Sequence, residues 1–282
     1  METQDKVKDM VRQKYAEIAM QDQRTNATSC CGSGGCSTQV YNIMADDYTE
    51  LEGYHADADL GLGCGLPTQY AKIKKGDVVI DLGSGAGNDA FIARHETGET
   101  GKVIGVDFTP AMIERARQNN EARGFNNVEF RQGDIERMPV MANTADVIVS
   151  NCVLNLVPNK DGVIKDIYRV LKPGGHFSIS DIVLEGLLPS QLKEAAEMYA
   201  GCVAGAIQKQ VYLELIEASG FVNVAVQKDK PIIIPDDILA NYLSPEQIGL
   251  FKNSGTGIRS ITVYAEKPLA GNTPCCGPDC CS

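Results

Sequence analysis

The segment at residues 78–88, VVIDLGSGAGN, limits what this chain can fold into more than any other stretch. A short apolar run that ends at an acid and alternating glycines is typical of a buried parallel strand, and we expect Asn88 to cap a helix beyond it. The glycines allow sharp turns and let a ligand lie against the backbone, because no Cβ stands in the way. The segment therefore predicts a strand–loop–helix cradle for a nucleotide.

The spacing of the glycines indicates which kind of nucleotide. A dinucleotide fingerprint reads G-x-G-x-x-G, whereas this chain reads D-x-G-x-G-x-G from Asp81 to Gly87. An acid at the strand end suits a ligand with positive charge and hydroxyl groups better than it suits a pyrophosphate. The next predicted strand ends in Asp107, twenty residues beyond Gly87, where such folds carry the carboxylate that binds a ribose.

Strands and helices alternate after this cradle, which predicts a parallel sheet with helices on both faces. The further predicted strands are 102–107, 128–132, 145–150, 176–180, 222–226 and 258–266, and later helices are predicted at 160–171, 190–201 and 211–218. Four polar residues fall at consecutive strand ends, namely Asp81, Asp107, Asp134 and Asn151. Any one of them could be a solvated helix cap, but four together indicate a ligand site at that edge.

These motifs resemble those of the class I S-adenosylmethionine-dependent methyltransferases, from about residue 74 to residue 181. The resemblance implies a doubly wound, Rossmann-like α/β sheet. It implies that Asp107 holds the ribose hydroxyls, that Asp134 and Ile135 hold the adenine, and that the glycine loop and Asn151 lie near the methionine part. The implied cofactor-binding residues are Asp81, Gly83, Ser84, Gly85, Gly87, Asp107, Asp134, Ile135 and Asn151.

Composition excludes several other classes of function. The net charge of −11 argues against a nucleic-acid substrate, because phosphate binding needs a basic surface. No apolar run is long enough for a membrane span, and the charged first residues do not resemble a signal peptide. We therefore expect a cytoplasmic protein. In that reducing compartment the ten cysteines are expected to be ligands or redox groups rather than structural bridges.

Three interior cysteines lie where the methyl acceptor is expected. Cys152 directly follows Asn151, and Cys64 and Cys202 lie in glycine-rich segments able to close over the same edge. No His-Asp or Lys-Tyr pair near the fourth strand indicates deprotonation of an oxygen or nitrogen acceptor. A lone cysteine is most often a small buried hydrophobic residue, but the loop context of these three favours chemistry.

The segments 62–67, 150–158 and 201–206 resemble those of arsenite methyltransferases, as does the Cys30-Cys31 pair, and the resemblance runs from about residue 29 to residue 267. It implies that Cys64, Cys152 and Cys202 hold As(III), since thiolates select soft ions. Methyl transfer from S-adenosylmethionine to arsenite or its thiol conjugates would then need no general base, because the arsenic lone pair attacks directly.

The same resemblance implies a redox cycle. Cys64 would bind arsenic and then pair with Cys30 or Cys31, with Cys36 as a third candidate. A thiol reductant of the thioredoxin or glutathione type would reset the pair. Leu66 departs from the asparagine expected in the Cys64 loop, and this departure concerns the geometry of the loop rather than the chemistry.

Four regions follow along the chain: an N-terminal helix with cysteine-bearing cap loops at 1–73, the methyltransferase domain at 74–230, a small C-terminal lobe with the last sheet strand at 231–270, and a disordered cysteine-rich tail at 271–282. The cysteines of the tail could collect arsenic or protect the protein, and a metal-binding tail without a catalytic role is the favoured interpretation. A zinc site is less favoured for the interior cysteines, because they are single and far apart.

Two alternative functions stay open. A quinone-type C-methyltransferase shares the predicted core but has no use for three thiols together. A non-catalytic arsenic-binding or sensing protein would explain the cysteines but not the intact cofactor cradle.

Overall fold

A computed structural model describes residues 2–20, 46–190, 192, 203 and 205–270. Its centre is a seven-stranded sheet in the order β3-β2-β1-β4-β5-β7-β6. The strands are β1 (Val78–Leu82), β2 (Lys102–Asp107), β3 (Val128–Gln132), β4 (Ala145–Asn151), β5 (Leu171–Glu185), β6 (Val222–Ile232) and β7 (Gly257–Glu266). Strands β1 to β5 pair in parallel, while β7 runs antiparallel between β5 and β6. The predicted doubly wound α/β sheet is confirmed.

Eight α-helices lie in the described part of the chain. They are α1 (Glu2–Ala19), α2 (Pro67–Tyr70), α3 (Asn88–Thr97), α4 (Pro110–Arg123), α5 (Lys160–Val170), α6 (Lys209–Ala218), α7 (Asp236–Leu239) and α8 (Pro245–Asn253). The predicted N-terminal helix is confirmed, and α7 and α8 lie between β6 and β7 within the predicted C-terminal lobe. The helix predicted at 190–201 lies almost wholly outside the described residues, as does the tail at 271–282.

Successive side chains along each strand point alternately into two apolar layers, one on each face of the sheet. Ile80 and Leu82 of β1 pack in one buried cluster with residues of α5 and α6. Val79 packs in the opposite cluster with residues of α3 and α4. Because both faces of a parallel sheet are covered, its strands are apolar at almost every position, which explains the short hydrophobic runs in the sequence.

Several predicted boundaries were wrong. Strand β6 was predicted at 222–226 but runs to Ile232, because its antiparallel ladder with β7 continues to the pair of Ile232 with Ile258. Strand β5 begins at Leu171 rather than at residue 176. Strand β5 runs through Asp181 to Glu185 instead of ending at residue 180, because its antiparallel ladder with β7 continues from His176 to Glu185. The N-cap of α3 is Gly87 rather than Asn88. Gly87 has φ +102°, and a Cβ there would lie 2.9 Å from the rings of Phe91 and Phe130, so glycine alone fits this turn.

Phe177 of β5 offers a test of the packing between sheet and helices. Its side chain is fully buried and meets the Phe221 ring edge-on, with centroids 4.9 Å apart. We predict that Phe177→Ala lowers the free energy of unfolding by about 3–5 kcal/mol, because the cavity left behind cannot close. The matched control is Leu187→Ala, since Leu187 is 89% exposed. Chemical denaturation that shows the same small change in both variants would contradict this packing.

Candidate active site

An open cavity lies at the carboxyl ends of β1, β2 and β4, and its volume is about 1040 Å³ when the solvent at its mouth is included. This is the edge at which open α/β sheets bind ligands. The predicted cofactor residues that line it are Asp81, Gly83, Ser84, Gly85, Asp107, Asp134, Ile135 and Asn151. Gly87 is absent from the wall, because it forms the N-cap of α3 behind the loop. The parallel sheet thus brings eight of the nine residues to one cavity.

The glycine loop is held in place by Asp107. One oxygen of this carboxylate accepts a hydrogen bond from the Gly85 amide at 3.1 Å, and the other accepts from the Thr109 amide at 2.8 Å. Gly85 has φ +50°, and a Cβ built there would meet nothing within 4 Å. The loop therefore presents bare backbone toward open space, as a cradle for a closely fitting ligand requires.

Several polar atoms in the cavity wall are buried and have no hydrogen-bond partner within the described structure. They include Asp81 Oδ2, Ser84 Oγ and Asn88 Oδ1. A buried polar atom left unsatisfied costs about 1–3 kcal/mol, so a cluster of them at one wall needs an explanation. A ligand with hydroxyl and amino groups would supply the missing partners.

The wall is also rich in buried carboxyl groups. Burial raises the pKa of Asp89 to about 7, even though Tyr48 and Asn151 donate hydrogen bonds to it. Burial, together with the charges of Asp89 and Asp107, raises the pKa of Asp81 well above its ordinary value. Carboxyl groups that are hard to ionise in this buried wall would ionise more readily beside a cation. The electrostatics therefore favour a positively charged ligand.

Helix α1 covers one end of the cavity. Lys8 Nζ lies 2.7 Å from Asp134 Oδ2 and 2.9 Å from Glu136 Oε2, and Lys8 and Tyr15 both line the cavity. Asp134 is the residue implied to hold adenine, so Lys8 competes for the same carboxylate. Sequence reasoning missed Lys8, because one lysine on an amphipathic helix does not indicate a partner 126 residues away.

Two of the predicted thiol residues meet beside the cavity. Cys152 lines it, and Cys64 is joined to Cys152 by a disulfide bond with the Cα atoms 5.8 Å apart. Both cysteines are buried, in a cluster that also contains Val203. The remaining predicted thiols, at Cys30, Cys31 and Cys202, lie outside the described residues, so the predicted pairing of Cys64 with Cys30 or Cys31 stays a prediction.

The backbone at Cys152 is unusual. This residue has φ +61°, a left-handed conformation that costs a side chain other than glycine about 1–3 kcal/mol. Its amide donates a hydrogen bond to the Ser180 carbonyl at 2.8 Å, which holds the turn against β5. The chain thus leaves β4 through a strained turn that aims Cys152 at Cys64.

Tyr48, Asp59 and Asp89 also line the cavity, although sequence reasoning did not select them. Asp89 lies two residues beyond Gly87 and looks like an ordinary acid in the first turn of a helix. Tyr48 lies in a segment without a regular pattern. The only signal for Asp89 was its place one residue after Asn88, at the helix end that faces the cradle.

Known proteins share this arrangement. Residues 73–220 match a family model described as a methyltransferase domain. The crystal structure of CrArsM, an arsenic(III) S-adenosylmethionine methyltransferase from Chlamydomonas reinhardtii, matches with a TM-score of 0.60 and 31% identity, over 82% of this chain and 74% of that one. An arsenite methyltransferase of Halobacterium salinarum is 39% identical over 94% of this chain and 67% of its own length.

The sheet, the cradle and the matched domain define a class I S-adenosylmethionine-dependent methyltransferase. Because the similarity to the Halobacterium protein extends over nearly the whole chain, this protein belongs to the arsenite methyltransferase family. A demethylmenaquinone methyltransferase of Lactobacillus johnsonii, 36% identical, aligns with only 38% of this chain and 45% of its own. The quinone alternative is therefore not favoured.

The buried carboxyl groups predict that cofactor binding releases protons. Near pH 7 the Asp89 carboxyl is partly protonated, and a sulfonium cation in the cavity would lower its pKa. We expect affinity for S-adenosylmethionine to increase as the pH rises through about 7, with release of a fraction of a proton. Calorimetry in two buffers of different ionisation enthalpy measures this release.

S-Adenosylhomocysteine is the matched control ligand, because it has the same groups without the sulfonium charge. It should release fewer protons than S-adenosylmethionine. Equal release by both ligands, or proton uptake, would show that the buried carboxyl groups do not sense the cofactor's charge.

Proposed function

We propose that this protein transfers the methyl group of S-adenosylmethionine to As(III) held by the thiolates of Cys64, Cys152 and Cys202, giving methylated arsenicals. One observation carries the proposal: Cys152 lines the same cavity as Gly83, Gly85 and Asp107 and lies beside Cys64. A soft ion bound to these thiols would lie next to the cofactor cradle.

Different residues of the cavity would bind different parts of the cofactor. Asp107, already oriented by two amide donors, would accept the ribose hydroxyls, and Asp134 with Ile135 would hold the adenine. Asp81 and Ser84 have buried oxygen atoms free to meet polar groups near the glycine loop. When bound, the cofactor supplies a methyl group already activated by its sulfonium charge, so alignment matters more than acid–base help.

The thiols would deliver the acceptor. Val203, adjacent in sequence to Cys202, is buried in the same cluster as Cys64 and Cys152, which supports a place for Cys202 at this site. The arsenic lone pair would form the As–C bond as the bond between the methyl carbon and the sulfonium sulfur breaks, and the electron pair of that bond would stay on sulfur. Arsenic is thereby oxidised from the trivalent to the pentavalent state.

Two thiols of the protein would then return arsenic to the trivalent state. They give up two electrons and form a disulfide, with Cys64 pairing with Cys30 or Cys31. A thiol reductant of the thioredoxin or glutathione type supplies two electrons to reopen it. The Cys64–Cys152 bond leaves neither sulfur able to bind arsenic, so reduction of this bond must precede substrate binding.

A reducing, cytoplasmic location fits this cycle, because the thiols must be free before each turnover. None of the described helices is long and apolar enough to span a membrane. We further propose the functional division into a cysteine-bearing cap at 1–73, a methyltransferase domain at 74–230, a lobe at 231–270 and a tail at 271–282. The substrate would be arsenite or its thiol conjugates.

The direct test is methyl transfer from labelled S-adenosylmethionine to arsenite in the presence of a dithiol or thioredoxin. We expect labelled methylarsenicals. If both ligands bind without product, the protein is an arsenic-binding or sensing protein instead. If arsenite does not bind, the arsenic assignment is wrong, and carbon acceptors are the next substrates to assay.

A single substitution tests the role of the thiols. We expect Cys152→Ser to reduce methylation of arsenite to background, since a serine hydroxyl does not replace a thiolate on a soft ion. Binding of S-adenosylmethionine, measured by calorimetry, should remain within about twofold of the parent value, because the cradle is intact. Unchanged turnover in this variant would contradict thiolate binding of arsenic.

A further inference from the structure

Tyr48, Asp89 and Asn151 form a hydrogen-bonded group in the cavity wall, and this group binds the Cys64 loop. The Asn151 amide donates to the Gly65 carbonyl at 2.8 Å, and its oxygen accepts from the Cys64 amide at 3.0 Å. One side chain thus binds the backbone on both sides of the Cys64 side chain.

Tyr48 and Asp89 add further hydrogen bonds to this arrangement. The Tyr48 hydroxyl lies 3.0 Å from the Gly65 carbonyl and 3.0 Å from Asp89 Oδ2, and it also contacts the Asn151 amide. Asp89 Oδ2 is 3.4 Å from the Asn151 amide nitrogen. The ionised form of Asp89 only accepts hydrogen bonds, so it favours the orientation in which Asn151 turns its amide nitrogen toward Asp89.

The glycines on either side of Cys64 show how closely the loop is seated. A Cβ on Gly63 would lie 2.6 Å from the Asn151 amide nitrogen, and a Cβ on Gly65 would lie 2.6 Å from Ser180 Cβ. Neither position has room for a side chain. The loop is therefore built to rest directly on Asn151 and β5.

We propose that Tyr48, Asp89 and Asn151 are positioning residues that hold the Cys64 loop so that its sulfur stays within reach of the Cys152 sulfur. Tyr48 and Asp89 act on Cys64 through the backbone of its loop and through Asn151. Their effect is preorganisation: two thiols already side by side lose less freedom when they bind one ion. The inference deepens the proposed function and depends on it where arsenic is concerned.

The experiment measures how strongly Cys64 and Cys152 prefer each other, which requires neither arsenic nor cofactor. The full-length chain is equilibrated in dithiothreitol redox buffers, and the Cys64–Cys152 disulfide is quantified by alkylation and peptide mapping. We expect Tyr48→Phe, which keeps the ring and removes the hydroxyl, to lower the equilibrium constant for this disulfide about 5-fold to 20-fold. The Kd for arsenite should rise, because thiols that are less preorganised bind the ion more weakly.

The matched control is Tyr212→Phe. Tyr212 is a buried tyrosine whose hydroxyl lies 3.4 Å from buried Asp181, and it is not in the cavity wall. The variant should lose a buried hydrogen bond to a carboxyl group, longer than that of Tyr48, yet change the disulfide equilibrium less than about twofold. If both variants shift equally, the effect is general destabilisation and the inference is wrong.

A second pair of variants tests Asp89, in case neighbouring groups compensate for the loss of the Tyr48 hydroxyl. Asp89→Ala should lower the disulfide constant, and Asp89→Asn should restore much of it, because its amide oxygen still accepts from Tyr48. Disulfide constants equal to the parent value in Tyr48→Phe and in Asp89→Ala would overturn the inference.

The outcomes also separate this inference from the proposed function. Normal arsenite methylation by the parent protein with no effect of Tyr48→Phe on thiol pairing removes only the positioning role. A shifted pairing constant in a parent protein that does not bind arsenite supports positioning and removes the arsenic assignment.

Discussion

Parallel pairing of β1 between β2 and β4 is the constraint from which the site follows. Asp81 of β1 lies opposite Gly105 of β2 and Val149 of β4. With these registers fixed, the chain must leave all three strands at one edge of the sheet. The glycine loop, Asp107 and Asn151 converge there because the hydrogen-bond ladders leave them no other place. The apolar packing on both faces then makes that edge rigid enough to hold a cofactor.

Sequence reasoning recovered the part of the site that local patterns encode. A buried strand followed by a glycine loop is visible in consecutive residues, so the amino-acid sequence alone was enough to place Asp81, Gly85 and Asp107. The pairing of Lys8 with Asp134 depends on how α1 docks, and no local pattern carries that information. The predicted length of β5 was wrong for the same reason, since its partner β7 lies far away in the sequence.

The arrangement of the two thiols was predicted only in part. The positions of Cys64 and Cys152 beside one cavity were expected from their loops and from a family resemblance. Their direct contact is accompanied by a hydrogen bond from the Cys64 amide to the Asn151 side chain, 87 residues later in the chain. Tyr48 and Asp89 escaped notice because a buried tyrosine and a first-turn acid are common in any α/β protein. Tertiary contacts alone turn these ordinary residues into parts of a site.

The cavity keeps several groups in states that are unfavourable without a ligand. Asp81 and Asp89 are buried with raised pKa values, Ser84 has a buried hydroxyl without a partner among the described residues, and Cys152 has left-handed backbone. Such unfavourable features are retained at sites where a bound ligand offsets their energetic cost. A cationic cofactor would offset the buried carboxyl groups. Cys152, in its strained turn, lines the same cavity. The residue whose side chain binds the backbone of the Cys64 loop, Asn151, is also the last residue of β4 before the strained turn at Cys152.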